Sequence, residues 1–181
     1  FLEATTNGSC PDEYTLTRSW TAVDDCLNDV TALQYVFVDD TTKPVLACPA
    51  GATLECPADT SIAANGSASA SDNCATPLVS SSDAFMVGCG TTQTITRTWS
   101  ASDECSNSSS CDQTIRVVDT RAPVVSVDTT PIQVVDTDCS GAEVVAIPSA
   151  TANDACDGAV AVTNDAPPSF PAGATTMVLY S

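Results

Sequence analysis

Two stretches of the chain alternate polar and apolar residues at every second position, and each does so on both sides of a polar loop. The first, residues 10–44, reads CPDEYTLTRSWTAVDDCLNDVTALQYVFVDDTTKP, and the second, residues 89–123, reads CGTTQTITRTWSASDECSNSSSCDQTIRVVDTRAP. Alternation with a period of two is typical of a β-strand that buries one face. Each stretch therefore predicts a β-hairpin of two long strands.

The two stretches are copies of one sequence. They align without a gap at a constant offset of 79 residues (89 − 10 = 79), which relates Cys10/Cys89, Arg18/Arg97, Trp20/Trp99, Cys26/Cys105 and Asp40/Asp119. A period of this size indicates a tandem array of similar modules.

This period divides the chain into three modules. Residues 1–43 are the C-terminal part of a first Ig-like module, residues 44–122 are a complete second module, and residues 123–181 are the N-terminal part of a third. The second module holds about seven short strand-like runs separated by turn residues, with no helical periodicity. The pattern predicts an all-β fold of tandem Ig-like β-sandwiches.

The strands predicted from this pattern are 14–23, 33–38, 52–56, 67–71, 78–81, 84–87, 92–101 and 113–118, and a last one begins within 176–181. Alternation places Arg18 and Trp20 on one face, with Arg97 and Trp99 on the equivalent face of the second module. We interpret the tryptophans as core residues rather than a sugar-stacking platform. The arginines are expected to stack beside them or to pair with an acidic side chain.

Composition restricts the compartment and the partners. The chain has 181 residues with ten cysteines, no histidine and a net charge of −18. Cysteines without a CxxC pair or histidine indicate disulfides and an extracellular location, secreted or at the cell surface, rather than a zinc site. The acidic surface disfavours nucleic acid and anionic lipid, and no apolar run reaches the roughly 18 residues that would insert into a membrane.

No catalytic set is apparent, because a Ser or Cys nucleophile has no histidine to act as its base. The chain is therefore not predicted to be an enzyme. The acidic clusters are interpreted as a solvated surface, and no cofactor is predicted; calcium near a module junction is the alternative, although no EF-hand spacing occurs. These clusters are Asp24-Asp25, Asp39-Asp40, Asp103-Glu104 and Asp136/Asp138.

Three Asn-x-Ser sequons, at Asn7, Asn65 and Asn107, lie in predicted loops. Such sequons accept N-linked glycans in secreted proteins. Asn65 and Asn107 are expected to carry sugar first, because they lie in loops of the complete module.

Four motifs follow one another in the second module: Pro-Val with Cys-Pro from residue 44, ASDNC at 70–74, TITRTWSASDECSN at 94–107 and Cys-x-x-Thr-Ile-x-Val-Val-Asp at 111–119. In this order they resemble the hyalin-repeat family. The resemblance implies Ig-like or fibronectin-III-like extracellular modules, found in tandem in adhesion and matrix proteins. It covers the second module and parts of the other two, which depart from it at Ala32 and Val127, where the second module has Cys111 and Cys48.

The cysteine pairing follows from strand geometry. Cys89 and Cys105 flank a strand that spans roughly 33 Å, whereas a disulfide needs Cα atoms within about 7 Å. In an Ig-like sandwich the first and last strands start at the same end, so cysteines at those starts can pair. The predicted bridges of the second module are Cys48–Cys111, Cys56–Cys89 and Cys74–Cys105. No partner is assigned to Cys10, Cys26, Cys139 or Cys156.

These features predict a disulfide-stapled structural segment of a secreted, glycosylated extracellular fibre, appendage or matrix protein. The alternative is an adhesin stalk or a module that binds a carbohydrate or a protein. Expected partners are further modules of the same protein or neighbouring copies in a filament. They are expected to cover the apolar residues of the two partial modules, Leu16, Trp20, Val36, Val144, Ile147 and Val178.

Overall fold

A computed structural model describes residues 1–133, 141–171 and 175–181 of the chain. The described part of the chain is all-β, with 48% of its residues in strands and 2% in helix. The predicted fold class is therefore confirmed at this level. None of the helices among these residues is long and apolar enough to cross a membrane.

The strands of the first module are β1 (Leu2–Asn7), β2 (Tyr14–Val23) and β3 (Asp29–Val38). Those of the second are β4 (Val45–Ala47), β5 (Ala52–Glu55), β6 (Ser69–Ser71), β7 (Leu78–Val87), β8 (Gln93–Ser102) and β9 (Ser108–Val118), with the short helix α1 (Ile62–Asn65) between β5 and β6. Those of the third are β10 (Val124–Ser126), β11 (Ala142–Glu143), β12 (Thr151–Asp154), β13 (Gly158–Val160) and β14 (Phe170–Pro171).

Both predicted hairpins are present. In the first module β1, β2 and β3 form an antiparallel sheet in that order, and β2 pairs with β3 from Tyr14↔Val38 to Val23↔Asp29. The predicted bounds of β2 are correct. Strand β3 begins at Asp29 rather than at residue 33, because the carboxylate of Asp24 accepts the backbone N–H groups of Cys26 and Asn28 and tightens the loop.

The second module contains two sheets, a two-stranded β4-β6 sheet and a four-stranded sheet in the order β5-β9-β8-β7. The prediction of two weak strands at 78–81 and 84–87 is wrong, since β7 runs without a break from Leu78 to Val87. The polar residues Ser82 and Asp83 resemble a turn in the sequence. An ion pair between Asp83 and Arg97 of β8 holds this segment beside its neighbour in the sheet.

Strand β5 runs in the same direction as β9. A Cβ atom on Gly51 would lie 2.7 Å from the carbonyl oxygen of Thr114, and the N–H of Cys56 donates to the carbonyl of Val118 at 2.9 Å. The earlier residue of one segment contacts the earlier residue of the other, and the later contacts the later, as in parallel strands. Glycine is required at position 51 because a side chain there would collide with the backbone of β9.

The third module begins like the second. Strand β10 pairs with β12 from Val124↔Asn153 to Ser126↔Thr151, as β4 pairs with β6 from Val45↔Ser71 to Ala47↔Ser69. The strand predicted within 176–181 does not form. Instead Tyr180 makes an isolated antiparallel bridge to Asn164, which is too short a pairing to build a ladder.

The chain forms two compact units, each made of several segments. The first comprises Phe1–Thr53, Asp59–Met86 and Thr94–Arg116, and the second comprises Leu54–Ala58, Val87–Gln93 and Val117–Ser181. The module boundaries at residues 43/44 and 122/123 remain a prediction, because modules are defined by repetition and these units by contact. The second unit has a small core of Cys56, Val117 and Cys156, with Ala58 packed against it.

Candidate functional site

The buried face of β8 forms the core of the first unit. Ile95, Arg97, Trp99 and Ala101 are each at least nine-tenths buried, and they alternate with partly exposed residues along the strand. The alternation of the sequence predicts this face. The interpretation of Trp99 as a core residue is therefore confirmed.

Arg97 is held on this face by an ion pair. Its Nε and Nη2 atoms each donate to one carboxylate oxygen of Asp83 at 2.8 Å, and Nη2 also donates to the carbonyl of Thr60 at 3.0 Å. The hydrogen bonds from Arg97 lower the pKa of the Asp83 carboxyl below its ordinary value of 3.8, against the opposing effect of burial. Of the two expected arrangements for this arginine, the paired one is present.

Gln113 joins the hairpin to the segment that covers it. Its Oε1 atom accepts the indole N–H of Trp99 at 3.3 Å. Its Nε2 atom donates to the carbonyls of Ala50 at 3.0 Å and Asn65 at 2.8 Å. Every polar atom of the Gln113 amide is thus used, as burial of a polar side chain requires.

The equivalent face of the first module is exposed. Trp20 is 42% exposed where Trp99 is 4% exposed, and Gln34, the counterpart of Gln113, is also exposed. Arg18 pairs with Glu3 at 2.7 Å, but both side chains remain more than a third exposed. Trp20 is therefore not a core residue in this structure, because no described segment covers it as residues 50–65 cover Trp99.

Three disulfides occur among the described residues, and one of them is a predicted pair. Cys48 and Cys111 are bonded across 63 residues, with their Cα atoms 6.4 Å apart. The bridge joins the chain just before β5 to β9, as expected for two strands that run in the same direction.

The predicted Cys56–Cys89 pair is wrong. Cys56 is bonded to Cys156 of the third module, with Cα atoms 5.5 Å apart. The Thr91 hydroxyl lies 2.9 Å from Cys56 Sγ and donates to the carbonyl of Cys156 at 3.1 Å, so it contacts both bonded residues. The prediction pairs cysteines within one module, whereas this bridge joins two modules.

The predicted Cys74–Cys105 pair is wrong for the same reason. Cys105 is bonded to Cys10 of the first module, with Cα atoms 5.2 Å apart. The neighbouring Asn107 donates from Nδ2 to the carbonyl of Asp40 at 3.0 Å, which holds the Cys105 turn against the first module's last residues. Cys74 and Cys89, like Cys26, are exposed free cysteines. Cys139 lies outside the described residues.

The turns that carry Cys26 and Cys105 have the same construction. The carboxylate of Asp24 accepts from the N–H and Nδ2 of Asn28 at 2.9 and 2.7 Å, and that of Asp103 accepts from the same atoms of Asn107 at 2.8 and 2.9 Å. The residue before each asparagine has a left-handed backbone, with φ of 68° and 72°. The repetition in the sequence is therefore also a repetition of backbone and hydrogen bonds.

Two acidic clusters lie at equivalent positions of the repeat, since Asp119 follows Asp40 by 79 residues and the motif ASDNC at 70–74 is repeated as ANDAC at 152–156. Ligand-type atoms of Asp40, Asp72 and Cys74 lie within 4.8 Å of one another, and the same holds for the counterparts Asp119, Asp154 and Cys156. Loss of hydration around the thiol, and then the nearby carboxylates of Asp40, Asp12 and Asp72, raise the pKa of Cys74. Calcium takes six to eight oxygen ligands, so two carboxylates do not complete a calcium site. Of the other predicted acidic positions, Asp136 and Asp138 lie outside the described residues.

The three sequons do not all lie in loops as expected. Asn7 is the last residue of β1 and is exposed. Asn65 ends α1, and its Nδ2 atom donates to the carbonyls of Asp59 and Ser61. Asn107 lies in the turn before β9, and its Nδ2 atom donates to Asp40 and Asp103. A glycan replaces one hydrogen of Nδ2, so Asn7 is the sequon at which no bond of the described structure is lost.

Comparisons with protein-family models, with curated proteins and with solved structures found no match. The resemblance to hyalin repeats therefore stays a prediction. What the structure itself offers as a functional site is the set of cross-linked module junctions and the exposed face of the first hairpin.

We predict that the double variant Cys48→Ala/Cys111→Ala unfolds with a free energy about 4 kcal/mol lower than the parent chain, because the bridge closes a loop of 63 residues. Denaturant unfolding followed by tryptophan fluorescence, to which the buried Trp99 and the exposed Trp20 both contribute, measures it. Cys26→Ala, which removes an exposed free thiol, is the matched control. An equal loss in both variants would contradict the prediction.

We predict that the free energy of unfolding depends less on pH in the acid range when Asp83 is replaced by Asn. The pKa of Asp83 is lowered in the folded state, so its stabilising contribution is present above 3.8 and is lost as pH falls through the lowered pKa. The parent chain should lose more stability than Asp83→Asn below pH 3.8, and the variant should be less stable at neutral pH. Asp25→Asn removes the same charge from an exposed position and serves as control; parallel acid profiles for the parent and Asp83→Asn would refute the prediction.

We predict that Asn7 carries the N-linked glycan with the highest occupancy. Asn7→Gln should remove one glycosidase-sensitive mass increment without a loss of stability. Asn107→Gln should leave the mass of the glycans unchanged and lower the melting temperature, because the bonds to Asp40 and Asp103 are lost. Intact-mass analysis and thermal unfolding of both variants separate the two effects, and a fully occupied Asn107 would overturn the ranking.

Proposed function

We propose that the chain is a structural segment of a secreted, glycosylated extracellular fibre, appendage or matrix protein, built from tandem Ig-like modules. Its task is to fix the spacing and orientation of successive modules. In this role the chain is not an enzyme and needs no cofactor.

The observation that carries the proposal is that two of the three disulfides found among the described residues join successive modules. Cys10 of the first module is bonded to Cys105 of the second, and Cys56 of the second is bonded to Cys156 of the third. A bridge within one module stabilises that module, whereas a bridge between modules removes freedom from the junction. An array that only displayed separate binding domains would gain nothing from such bridges.

The linker between the first two modules, residues 39–44, supports the same proposal. Asn107 donates to the carbonyl of Asp40 at 3.0 Å, and the Ser109 hydroxyl donates to the carbonyl of Pro44 at 2.7 Å. Asp40 is 7% exposed, and its carboxylate accepts the N–H of Thr42 at 3.0 Å. A segment whose carbonyls and carboxylate are bonded in this way acts as a spacer of fixed geometry and not as a flexible tether.

The Ig-like arrangement and the extracellular location also belong to this proposal. The second module has two sheets, and β5, its second strand, runs in the same direction as its last strand β9, as expected where the start of an Ig-like sandwich lies beside the last strand. Three disulfides fit an oxidising compartment. The resemblance to hyalin repeats, which occur in adhesion and matrix proteins, fits both features.

One observation favours the alternative of an adhesin stalk or a carbohydrate-binding module. The rings of Phe1 and Trp20 lie 5.4 Å apart at an angle of 37°, and Trp20 is exposed. Exposed aromatic rings stack on sugar faces and on protein partners. Phe1 and Trp20 are therefore the residues to mutate in a binding assay.

Electron microscopy of the native particle, before and after reduction, tests the proposal. We expect filaments or straight rods of constant module spacing that become flexible when the bridges are reduced. Round particles that bind a glycan through Trp20, and lose that binding in Trp20→Ala, would refute the structural role and support the alternative. Trp99→Phe, at the buried counterpart, is the control for a general loss of folding.

A further inference from the structure

The turn between β7 and β8 lies against a disulfide to which it does not belong. The Thr91 hydroxyl is 2.9 Å from Cys56 Sγ and donates to the carbonyl of Cys156 at 3.1 Å, so it contacts both residues of the Cys56–Cys156 bridge. The backbone of Gly90 is equally close, because a Cβ atom added there would collide with the carboxylate of Asp157, the residue after Cys156. All of these residues belong to the second compact unit.

This turn, residues 88–92, carries a free cysteine. Cys89 is exposed and unbonded. The turn around it is closed by hydrogen bonds from the N–H of Gly88 to the carbonyl of Thr92 at 2.9 Å and from the N–H of Thr92 to the carbonyl of Cys89 at 3.0 Å. The Cys89 thiol is therefore accessible, and it lies two residues along the chain from the hydroxyl that contacts the bridge.

The length of the chain limits the distance between this thiol and the bridge. Two residues span at most about 7 Å, so the Cα atom of Cys89 lies within about 12 Å of Cys56 Sγ. A disulfide needs Cα atoms within about 7 Å of each other. Residues 88–91 are exposed, and surface turns move on the nanosecond to microsecond timescale. A displacement of several ångströms by such a turn is sufficient to bring the two sulfur atoms together.

The bridge itself is shielded from thiols in solution. Cys56 is 3% exposed and Cys156 is 7% exposed, and they form the small core of the second unit with Val117 and Ala58. Thiol–disulfide exchange requires that the attacking sulfur reach the bonded one. A thiol in a turn that already contacts the bridge reacts intramolecularly, and it is therefore much better placed than a dissolved thiol.

Two features select Cys56 as the sulfur that Cys89 attacks. The Thr91 hydroxyl contacts Cys56 Sγ directly. In the β5-β9-β8-β7 sheet, β5 runs parallel to β9 while β8 and β9 form a hairpin, so the end of β5 and the start of β8 lie at the same end of the sheet. Cys56 follows the first of these and Cys89 precedes the second. Attack on Cys156 would instead leave the Cys56 thiol buried in the core.

The repeat shows how a released Cys156 is accommodated. Its counterpart Cys74 is a free cysteine beside two carboxylates, and Cys156 lies beside the equivalent carboxylates of Asp119 and Asp154. At Cys74, loss of hydration and the nearby carboxylates raise the pKa of the thiol, so that it keeps its proton. The acidic surroundings of Cys156 likewise disfavour a further negative charge. A protonated thiol at this position is therefore compatible with the local structure.

We propose that the Cys56–Cys156 bridge is exchangeable and that Cys89 is the internal thiol that opens it, giving a second state in which Cys56 is bonded to Cys89 and Cys156 is free. The bond present in the structure is the locked state, because it joins the second module to the third. The exchanged bond lies within the second module, so the second state releases the junction. The exchange is independent of the proposed structural role, whereas its consequence for stiffness rests on that role.

The exchange conserves atoms, electrons and charge. The Cys89 thiol loses its proton, and the thiolate attacks Cys56 Sγ in line with the bond to Cys156. That bond breaks as the Cys56–Cys89 bond forms, and its electron pair leaves on Cys156 Sγ, which takes up a proton. The number of disulfides is unchanged, so no oxidant or reductant is consumed. Because the thiolate is the attacking form, the exchange is faster at higher pH.

Peptide mapping of the full chain tests the exchange. The substitutions Cys26→Ala and Cys139→Ala form the background, so that neither residue can capture a released Cys156. Cys74 is kept as the matched control, because it is a second exposed free thiol. The protein is held under native conditions at mildly alkaline pH, quenched with acid, alkylated at low pH and digested without reduction.

We expect two populations of molecules. One contains the Cys56–Cys156 peptide pair and alkylated Cys89, and the other contains the Cys56–Cys89 pair and alkylated Cys156. The second population should grow with time, and more slowly at acidic pH, while Cys74 stays alkylated throughout. Alkylation of Cys89 in every molecule at all times would overturn the proposal, and so would a bond from Cys89 to Cys156.

Two serine variants test the reach of the turn. Cys156→Ser leaves Cys56 and Cys89 as thiols, and oxidation with glutathione disulfide should join them. Cys89→Ser should retain the Cys56–Cys156 bridge in every molecule under the alkaline conditions used above. If Cys156→Ser folds without forming the Cys56–Cys89 bond, the turn cannot reach Cys56 and the proposal is refuted. If it does not fold, the mapping of the background chain decides.

Trypsin cleavage separates this inference from the proposed function. The side chain of Arg121 is 68% exposed in the predicted junction between the second and third modules. Cleavage after Arg121 should be several-fold faster in oxidised Cys156→Ser, the released state, than in Cys89→Ser, the locked state. Cleavage after Arg18, in the first module, is the control and should be equal in both. Equal rates at Arg121 would refute the stiffening role and leave the exchange intact, whereas a rate difference without exchange in the background chain would refute the inference alone.

Discussion

Covalent cross-links carry stability that the apolar interior of this protein is too small to supply. Among the described residues nine hydrophobic side chains are buried, and three of these are bonded cysteines: Cys10, Cys56 and Cys156. Small β-modules bury too little apolar surface to offset the loss of chain entropy by a wide margin. The disulfides reduce the entropy lost on folding, because they limit the conformational freedom of the unfolded chain. Their positions therefore determine which parts of the structure are rigid.

Polar side chains occupy positions that larger modules give to aliphatic residues. Arg97 and Gln113 are as buried as Ile95 and Ile115, and each bonds to backbone carbonyls of the covering segment. Such bonds specify which segment covers the hairpin and in which position. Apolar contacts, which are not directional, do not specify this. A removed partner would leave a buried charge or amide unsatisfied, at a cost of several kcal/mol for the charge.

The sequence was sufficient to predict the elements whose signal is local. Period-two alternation located β2 from Tyr14 to Val23 and the buried face of β8, and the 79-residue offset related two turns that prove alike down to their hydrogen bonds. Partners distant in sequence were not predictable in this way. Nothing in the sequence marks the carbonyl of Thr60 as the acceptor for Arg97, and Cys56 has no local feature that prefers Cys156 to Cys89. Two of the predicted pairs are wrong because these bridges cross the boundaries that the repeat defines.

The Cys48–Cys111 bridge also determines how the second module responds to tension along the chain. Force entering near Pro44 and leaving near Asp119 passes through the sulfur atoms, and the 63-residue separation between the two cysteines is bypassed. Fully extended, that segment would add roughly 210 Å of length at about 3.3 Å per residue. The bridge prevents this extension as long as it is intact. The first module has Ala32 in place of one of these cysteines. Under load in an oxidising medium the segment between Cys48 and Cys111 thus cannot lengthen, and the Cys10–Cys105 bridge sets the same limit on the 95-residue separation between its own cysteines.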